Sequence, residues 1–270
     1  MKKNLVVFFV ILQTICAASW ADKGLIVTID QETLSEKNNT IWDDHRADFI
    51  QSKAKNKYEN VYIVRGDLVR DDEYMQFVWA EALENNEIVD YVSFVHGGRQ
   101  WIKDEWNVPV DSKKLRMVYS EGCKGGSGLD EFVKKYGAFL SAGHNKTAVG
   151  VSASPFFSFV FLVSWLEGNS FSEALNDAWL TGTLALSDSG YFQIAQVMGG
   201  YNNVDEALEA SRIQYAHRGD VDPNLFTLHC PRQEFWNEGL ELIQDTLPKE
   251  PTQGTNRLDV LIEIFNQKIL

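Results

Sequence analysis

The sequence predicts an α/β protein: a mostly parallel sheet flanked by helices on both faces, followed by a helical C-terminal extension. Three observations lead there. Short apolar, β-branched runs alternate with stretches of helical periodicity. Those runs are apolar at successive positions, as in strands covered on both faces, and do not alternate like half-exposed ones. After Pro155 the pattern turns helical.

In chain order, Gly24-Leu-Ile-Val-Thr-Ile-Asp30 is the expected first strand, and Asp43 to Lys57 a helix with Phe49 and Ile50 on its apolar side. Val61-Tyr-Ile-Val64 is the second strand, ended by Arg65-Gly66-Asp67. Asp72 to Asn85 carries Met75, Val78, Trp79, Ala82 and Leu83 at helical spacing. Val89 to Val95 is the third strand and runs into His96-Gly97-Gly98. Leu115 to Ser120 is the fourth and runs into Glu121-Gly122-Cys123. Leu129 to Ala142 reads as a helix stopped by Gly143, and Thr147 to Ala153 as a fifth strand. Further helices are expected at Phe156–Glu167, Ser172–Leu186, Val204–Ala216 and Phe235–Asp245. At Ser172 the third residue on is Leu175, so no Ser-x-x-Glu capping box is expected there. Pro248 to Gln253 reads as a linker to an amphipathic segment at Leu258–Ile269.

Residues 1–21 have the pattern of a secretory signal peptide: Lys2 and Lys3, an apolar run from Leu5 to Leu12, then small residues at Ser19 and Ala21. The run is shorter than the roughly 20 apolar residues of a membrane span. Cleavage after Ala21 would remove two lysines and take the net charge from -13 to -15. The organisation expected is thus 1–21 signal peptide, 22–247 α/β domain and 248–270 linker and amphipathic helix. The location expected is periplasmic or secreted, with no stable membrane association after cleavage. Strong acidity disfavours nucleic acid and anionic lipid as partners, since both require clustered Lys and Arg. Phe156–Leu166 is the most apolar later stretch, and its length suits a buried helix.

After cleavage only Cys123 and Cys230 remain, too few for a disulfide scaffold. They either pair with each other or leave a free thiol, and both readings stay open. The histidines and cysteines lack the close spacings of metal sites, so no metal and no cofactor are expected.

The chemistry concentrates at two strand ends. Ligands of open parallel sheets gather at the carboxyl ends of the strands, and there two consecutive strands present His96-Gly97 and Glu121-Gly122-Cys123. A thiolate there can attack a carbonyl, an imidazole can protonate the leaving group, and backbone amides can hold the oxyanion. His144, in Gly143-His144-Asn145, is a spare imidazole in a stretch that reads as a helix stop and turn. Trp101 and Trp106 lie between the motifs, where they would wall a pocket.

An apolar strand ending in His-Gly, followed by one ending in Glu/Gln-Ala/Gly-Cys, resembles the caspase-like cysteine peptidases: caspases, legumains, clostripain and gingipains. Here the motifs read Tyr91-Val-Ser-Phe-Val-His96-Gly97 and Met117-Val-Tyr-Ser-Glu121-Gly122-Cys123. The likeness covers residues 24–185 as architecture, and its specific part is the two motifs. It implies a caspase-like fold, hydrolysis of peptide or protein substrates, Cys123 as nucleophile and His96 as catalytic imidazole. It also implies an oxyanion site made by the amides of Gly97 and Cys123. The interval from His96 to Cys123 is short for several members, and Lys124-Gly-Gly-Ser-Gly128 leans toward the legumain and gingipain types. In several relatives the loop after the first strand lines the pocket for the residue before the scissile bond. Asp30 falls there and would select Arg or Lys; as a strand-end turn residue it needs no such role. Two alternatives stand beside the peptidase: an inactive caspase-like binding or scaffold protein, and an α/β protein with a Cys123–Cys230 bridge.

Overall fold

The computed structural model describes residues 22–30, 46–95, 102–110, 113–122, 124–144, 150–187, 192–193, 196, 200–230, 241–251 and 254–259. The proposed signal segment lies outside them. Strand β1 (Lys23–Asp30) is followed by helix α1 (46–54), β2 (Asn60–Arg65), a 3-10 turn at Gly66–Arg70, α2 (Asp72–Asn85) and β3 (Ile88–Val95). Next come a 3-10 turn at Asp104–Trp106, β4 (Leu115–Ser120), a 3-10 turn at Gly125–Gly128, α3 (Leu129–Lys134) and β5 (Leu140–His144). Helices α4 (Gly150–Leu166), α5 (Phe171–Ser187) and α6 (Val204–Ser211) precede β6 (Ile213–Arg218) and β7 (Leu242–Thr246).

The seven strands form one sheet in the order β2-β1-β3-β4-β5-β6-β7. Pairings from β2 to β5 are parallel, and β6 and β7 add antiparallel edges. The chain leaves β1 toward β2 and then returns to build β3, β4 and β5 on the other side. With crossovers of one hand, that reversal sends α1 to one face and α2 and α3 to the other. The core divides accordingly. Leu25, Val27, Ile29, Val92, Phe94, Met117 and Tyr119 pack under α1, α4 and α5. Ile26, Val89, Tyr91, Val95 and Val118 pack against Val78, Trp79, Phe132 and Tyr136 on the opposite face. β1, β3 and β4 are buried along their whole length, hence their largely apolar sequence.

Two of the polar exceptions, Asp90 and Arg116, meet toward the amino edge of the sheet. The register between β3 and β4 shifts at Val89/Asp90, so Leu115 faces Val89 while Met117 faces Asp90. Arg116 is the extra residue of this bulge, and a bulge re-aims a side chain. Its Nε and Nη2 donate to Asp90 at 2.9 and 2.5 Å, with both side chains fully buried. The Tyr58 hydroxyl donates to Asp90 at 2.5 Å and accepts from Trp165 Nε1 at 3.1 Å. Burial first, and the Asp90 carboxylate second, hold the Tyr58 phenol well above its ordinary pKa. Arg116 Nη1 also donates to the carbonyls of Leu228 and Cys230, at 2.9 and 3.3 Å.

On the α4–α5 side, Phe157–Leu166 are all buried, and no described helix is long and apolar enough to cross a membrane. Phe157 lies over Gly182, where a Cβ would fall 1.8 Å from its ring. α5 opens on a complete capping box one turn-step earlier than Ser172: Glu173 N–H donates to Ser170 Oγ at 3.2 Å, and Ser170 N–H to Glu173 Oε2 at 2.8 Å. Residues 254–259 return across this pair. Thr255 N–H donates to the buried Asp177 carboxylate at 2.5 Å, and Arg257 donates twice to Glu167, at 2.5 and 2.7 Å.

Several expected elements are corrected. The helix expected over Leu129–Ala142 stops at Lys134, and the fifth strand is Leu140–His144. Of the strand expected at Thr147–Ala153, residues 147–149 lie outside the described set and Gly150 opens α4. The helix from Val204 ends at Ser211, because Ile213–Arg218 pairs with β5 as a strand. Leu242–Thr246, expected within a helix, is β7. Of the C-terminal helix only residues 258–259 are described.

Removing one partner of the buried pair strands a charge. Arg116→Ala and Asp90→Ala should each lower stability by about 3–5 kcal/mol. The measure is the urea midpoint at pH 7, and replacing both residues by apolar ones should cost less than the two single losses together.

Candidate active site

β3 and β4 are adjacent and parallel, so they end side by side at the carboxyl edge. Ser93 stands opposite Ser120, and Glu121 N–H extends the ladder by donating to the Ser93 carbonyl at 2.9 Å. Val95 is the last residue of β3 and stands opposite Asp30, the last of β1. The sheet order reverses at β1, between β2 and β3, which makes the edge beside Asp30 and Val95 a topological switch point, where ligands of open sheets bind. His96, Gly97, Trp101 and Cys123 themselves lie outside the described residues. Their flanking residues are placed: His96 follows Val95, and Cys123 stands between Gly122 and Lys124.

The chain turns tightly after β4. Gly125 N–H donates to the Gly122 carbonyl at 2.8 Å, closing a four-residue turn across position 123. Lys124 takes the left-handed conformation, φ 63° and ψ 21°, unusual for a residue with a Cβ. The glycines that follow serve close approach. A Cβ on Gly125 would stand 2.6 Å from the Ser120 carbonyl oxygen, and one on Gly126 would stand 3.0 Å from the His144 carbonyl oxygen. From the other side, a Cβ on Gly143 would stand 2.7 Å from the Gly125 carbonyl carbon. The loop following Cys123 therefore lies directly on the carboxyl ends of β4 and β5. That packing explains Gly143 in the β5 sequence Leu140-Ser-Ala-Gly-His144: a glycine is required where the loop presses down.

Polar side chains at this edge are buried. Glu121, just before Gly122-Cys123, is 1% exposed. Asp30 is 2% exposed, and its two oxygens accept from Arg70 Nε at 3.1 Å and Nη2 at 3.0 Å. Asp30 thus ties β1 to the 3-10 turn after β2, and a substrate cation would have to displace that guanidinium to reach it. His144, expected in a turn, is the last residue of β5 and fully buried. Its Nδ1–H donates to the Ser211 carbonyl at 2.7 Å, since that carbonyl can only accept. Burial pushes its pKa down to about 4, against the Ser211 bond, which favours the charged form.

Trp106 lies on the sheet face covered by α2. It is buried against α2, donates from Nε1 to Asp72, the first residue of that helix, at 3.0 Å, and shares a groove of about 370 Å³ with Trp79, Leu83 and Lys114. The groove runs along α2, with Leu83 and Lys114 toward the amino edge. Cys230 is also at the amino edge, where its carbonyl accepts from Arg116, and its thiol is free. Among the described residues, no group of three His, Cys, Asp or Glu side chains is placed to hold a metal ion. The residues sequence reasoning missed are Arg70, as partner of Asp30, and Lys124, as the left-handed residue. Arg65-Gly66-Asp67 signals the turn that carries Arg70, but no sequence signal marks Lys124, because glycines stand nearby.

No family model matches the chain, and none of the curated proteins does.

The packing of Gly125 generates an expected outcome. Gly125→Ala forces a Cβ against a backbone oxygen and should destabilise by about 1–3 kcal/mol. Lys124→Gly removes a strained conformation and should hold or raise stability by about 1 kcal/mol. Thermal unfolding of the two variants beside the parent chain gives the comparison.

Proposed function

We propose that the chain is an exported cysteine endopeptidase that hydrolyses peptide bonds through Cys123 and His96. The observation that carries this reading is the pairing of β3 with β4: two adjacent parallel strands end together, and the next residues are His96-Gly97 on one and Glu121-Gly122-Cys123 on the other. Glycine-dependent packing of the loop after position 123 adds support, because a nucleophile needs a rigid mount.

In this reading the Cys123 thiolate attacks the scissile carbonyl, and the amides of Gly97 and Cys123 bind the oxyanion. His96 passes its proton to the departing amine, leaving a thioester on Cys123. Water, deprotonated by His96, then cleaves the thioester and frees the thiol. No metal or cofactor takes part. The acidic surface suits peptide or protein substrates rather than nucleic acid, and the segment 1–21 is proposed to direct export.

The bridge reading loses its support, because Cys230 carries a free thiol and is held at the edge opposite Gly122 and Lys124. A non-catalytic scaffold with the same fold is the remaining rival, and hydrolysis decides it. Cys123→Ala and His96→Ala should each reduce turnover of a mixed peptide library by about 10³-fold or more, with near-UV circular dichroism unchanged. A parent chain no faster than the two variants would remove the peptidase reading.

One rapidly alkylated thiol should map to Cys123 at neutral pH, with Cys230 reacting more slowly. Peptide mass mapping after brief iodoacetamide treatment measures both. Equal rates would leave no activated thiol.

A further inference from the structure

The histidine at the end of β5 has no part in the chemistry above, yet it is built into the floor under the nucleophile loop. The His144 ring lies edge-on to Tyr119 of β4, with centroids 6.2 Å apart, and to Phe157 of α4 at 5.6 Å. Phe157 in turn stacks on Trp179 of α5 at 5.8 Å. Nδ1 is committed to the Ser211 carbonyl at the end of α6, and among the described residues no hydrogen-bond partner reaches Nε2. The His144 main chain pairs with Ile213 of β6, and its carbonyl lies under Gly126. One residue therefore joins β4, β6, α4 and α6 to the loop that follows Cys123.

This slot fits a neutral ring. Protonation would add a second N–H at Nε2, which has no acceptor among the described residues, and would place a positive charge at a fully buried position. A buried unsatisfied donor and an unpaired buried charge both oppose folding. Among the described residues, the groups facing the ring do not offset that charge. β4 presents the Tyr119 phenol, kept protonated chiefly by burial, with the Glu121 carboxylate acting on that phenol. α4 presents Phe157, α6 the Ser211 carbonyl, β6 the uncharged Ile213 and Gln214, and the loop after Cys123 only glycine backbone.

We propose that His144 is a positioning residue for the peptidase site, whose protonation opens the carboxyl end of β5 and so disables the nucleophile loop in acid. The proposal rests on the peptidase reading for its consequence, and on the packing of His144 for its mechanism. The sign follows from linkage. A folded-state pKa depressed from 6.5 to about 4 means that the stabilising contribution is whole above pH 6.5. It is lost as the pH falls through that interval.

The test uses the full chain. Near-UV circular dichroism and kcat/KM on a peptide library are followed from pH 8 to pH 3. The parent should lose both signals together on the acid side, and His144→Gln, which can still donate to Ser211 but cannot charge, should move that midpoint down by about one pH unit. His144→Phe fills the slot without a titrating group and should shift it in the same direction. Unchanged midpoints in both variants would overturn the proposal. So would a His144 ring proton in the parent's NMR spectrum that titrates near 6.5 with tertiary structure intact, a result that requires no variant to fold. Hydrolysis absent from the parent at pH 7.5 removes the enzymatic reading instead, while the dichroism midpoint still decides whether His144 is the acid-sensitive element.

Discussion

The register between β3 and β4 is the constraint on which the proposed chemistry depends, and the Asp90–Arg116 pair holds it. A slip of one residue between strands turns every side chain to the opposite face. Here it would bury Arg116 among the residues under α2, away from its carboxylate, and would offset the two strand ends. With Asp90, Tyr58 and Trp165 satisfying one another in a chain of hydrogen bonds, only one register leaves no charge stranded. An ion pair of this kind adds little net stability relative to apolar packing. Its effect is specificity: Ser93 and Ser120 come level, and Glu121 N–H continues the ladder to the Ser93 carbonyl.

The centre of the sheet was legible in the sequence because burial on both faces leaves a strong mark. β1, β3 and β4 read as continuous apolar runs, each closed by a turn signal, and the structure places them within a residue of expectation. The later strands carry no such mark. Leu140-Ser-Ala-Gly-His144 lacks β-branched residues, with Gly143 required by the loop above, and Leu129, Phe132, Val133 and Tyr136 upstream set a helical rhythm that periodicity alone extends through it. Ile213-Gln-Tyr-Ala-His-Arg218 follows α6 with apolar residues three apart, so periodicity alone extends the helix. β7 is a half-exposed edge strand whose place is fixed by pairing with β6, a tertiary effect that local propensity does not register.

The candidate site divides along the same line. Its position, at two strand ends bearing His-Gly and Glu-Gly-Cys, could be read from pattern. Its supporting contacts could not, because each joins residues distant in sequence. Asp30 finds Arg70 only after the turn behind β2 has folded back, and His144 finds Ser211 only when α6 reaches the end of β5. Lys124 shows the limit of local reasoning most directly. The left-handed position falls on the lysine beside three glycines, while Gly125 and Gly126 are held at their places by how closely neighbouring backbone approaches.

The contacts of the amino edge bear on the order in which the molecule can assemble. Arg116 completes its hydrogen bonds with the carbonyls of Leu228 and Cys230, and Lys23, at the start of the first strand, donates to the same Leu228 carbonyl. The innermost strands are therefore finished by a segment that lies 112 residues beyond Arg116. A chain halted before Leu228 has every central strand in hand but lacks the carbonyls that Arg116 and Lys23 reach there. Folding to the native core is thus expected to be a late, concerted event, slow in the manner of topologies dominated by distant contacts. A growing chain of this design stays unfinished, and pliable, until Leu228 has arrived.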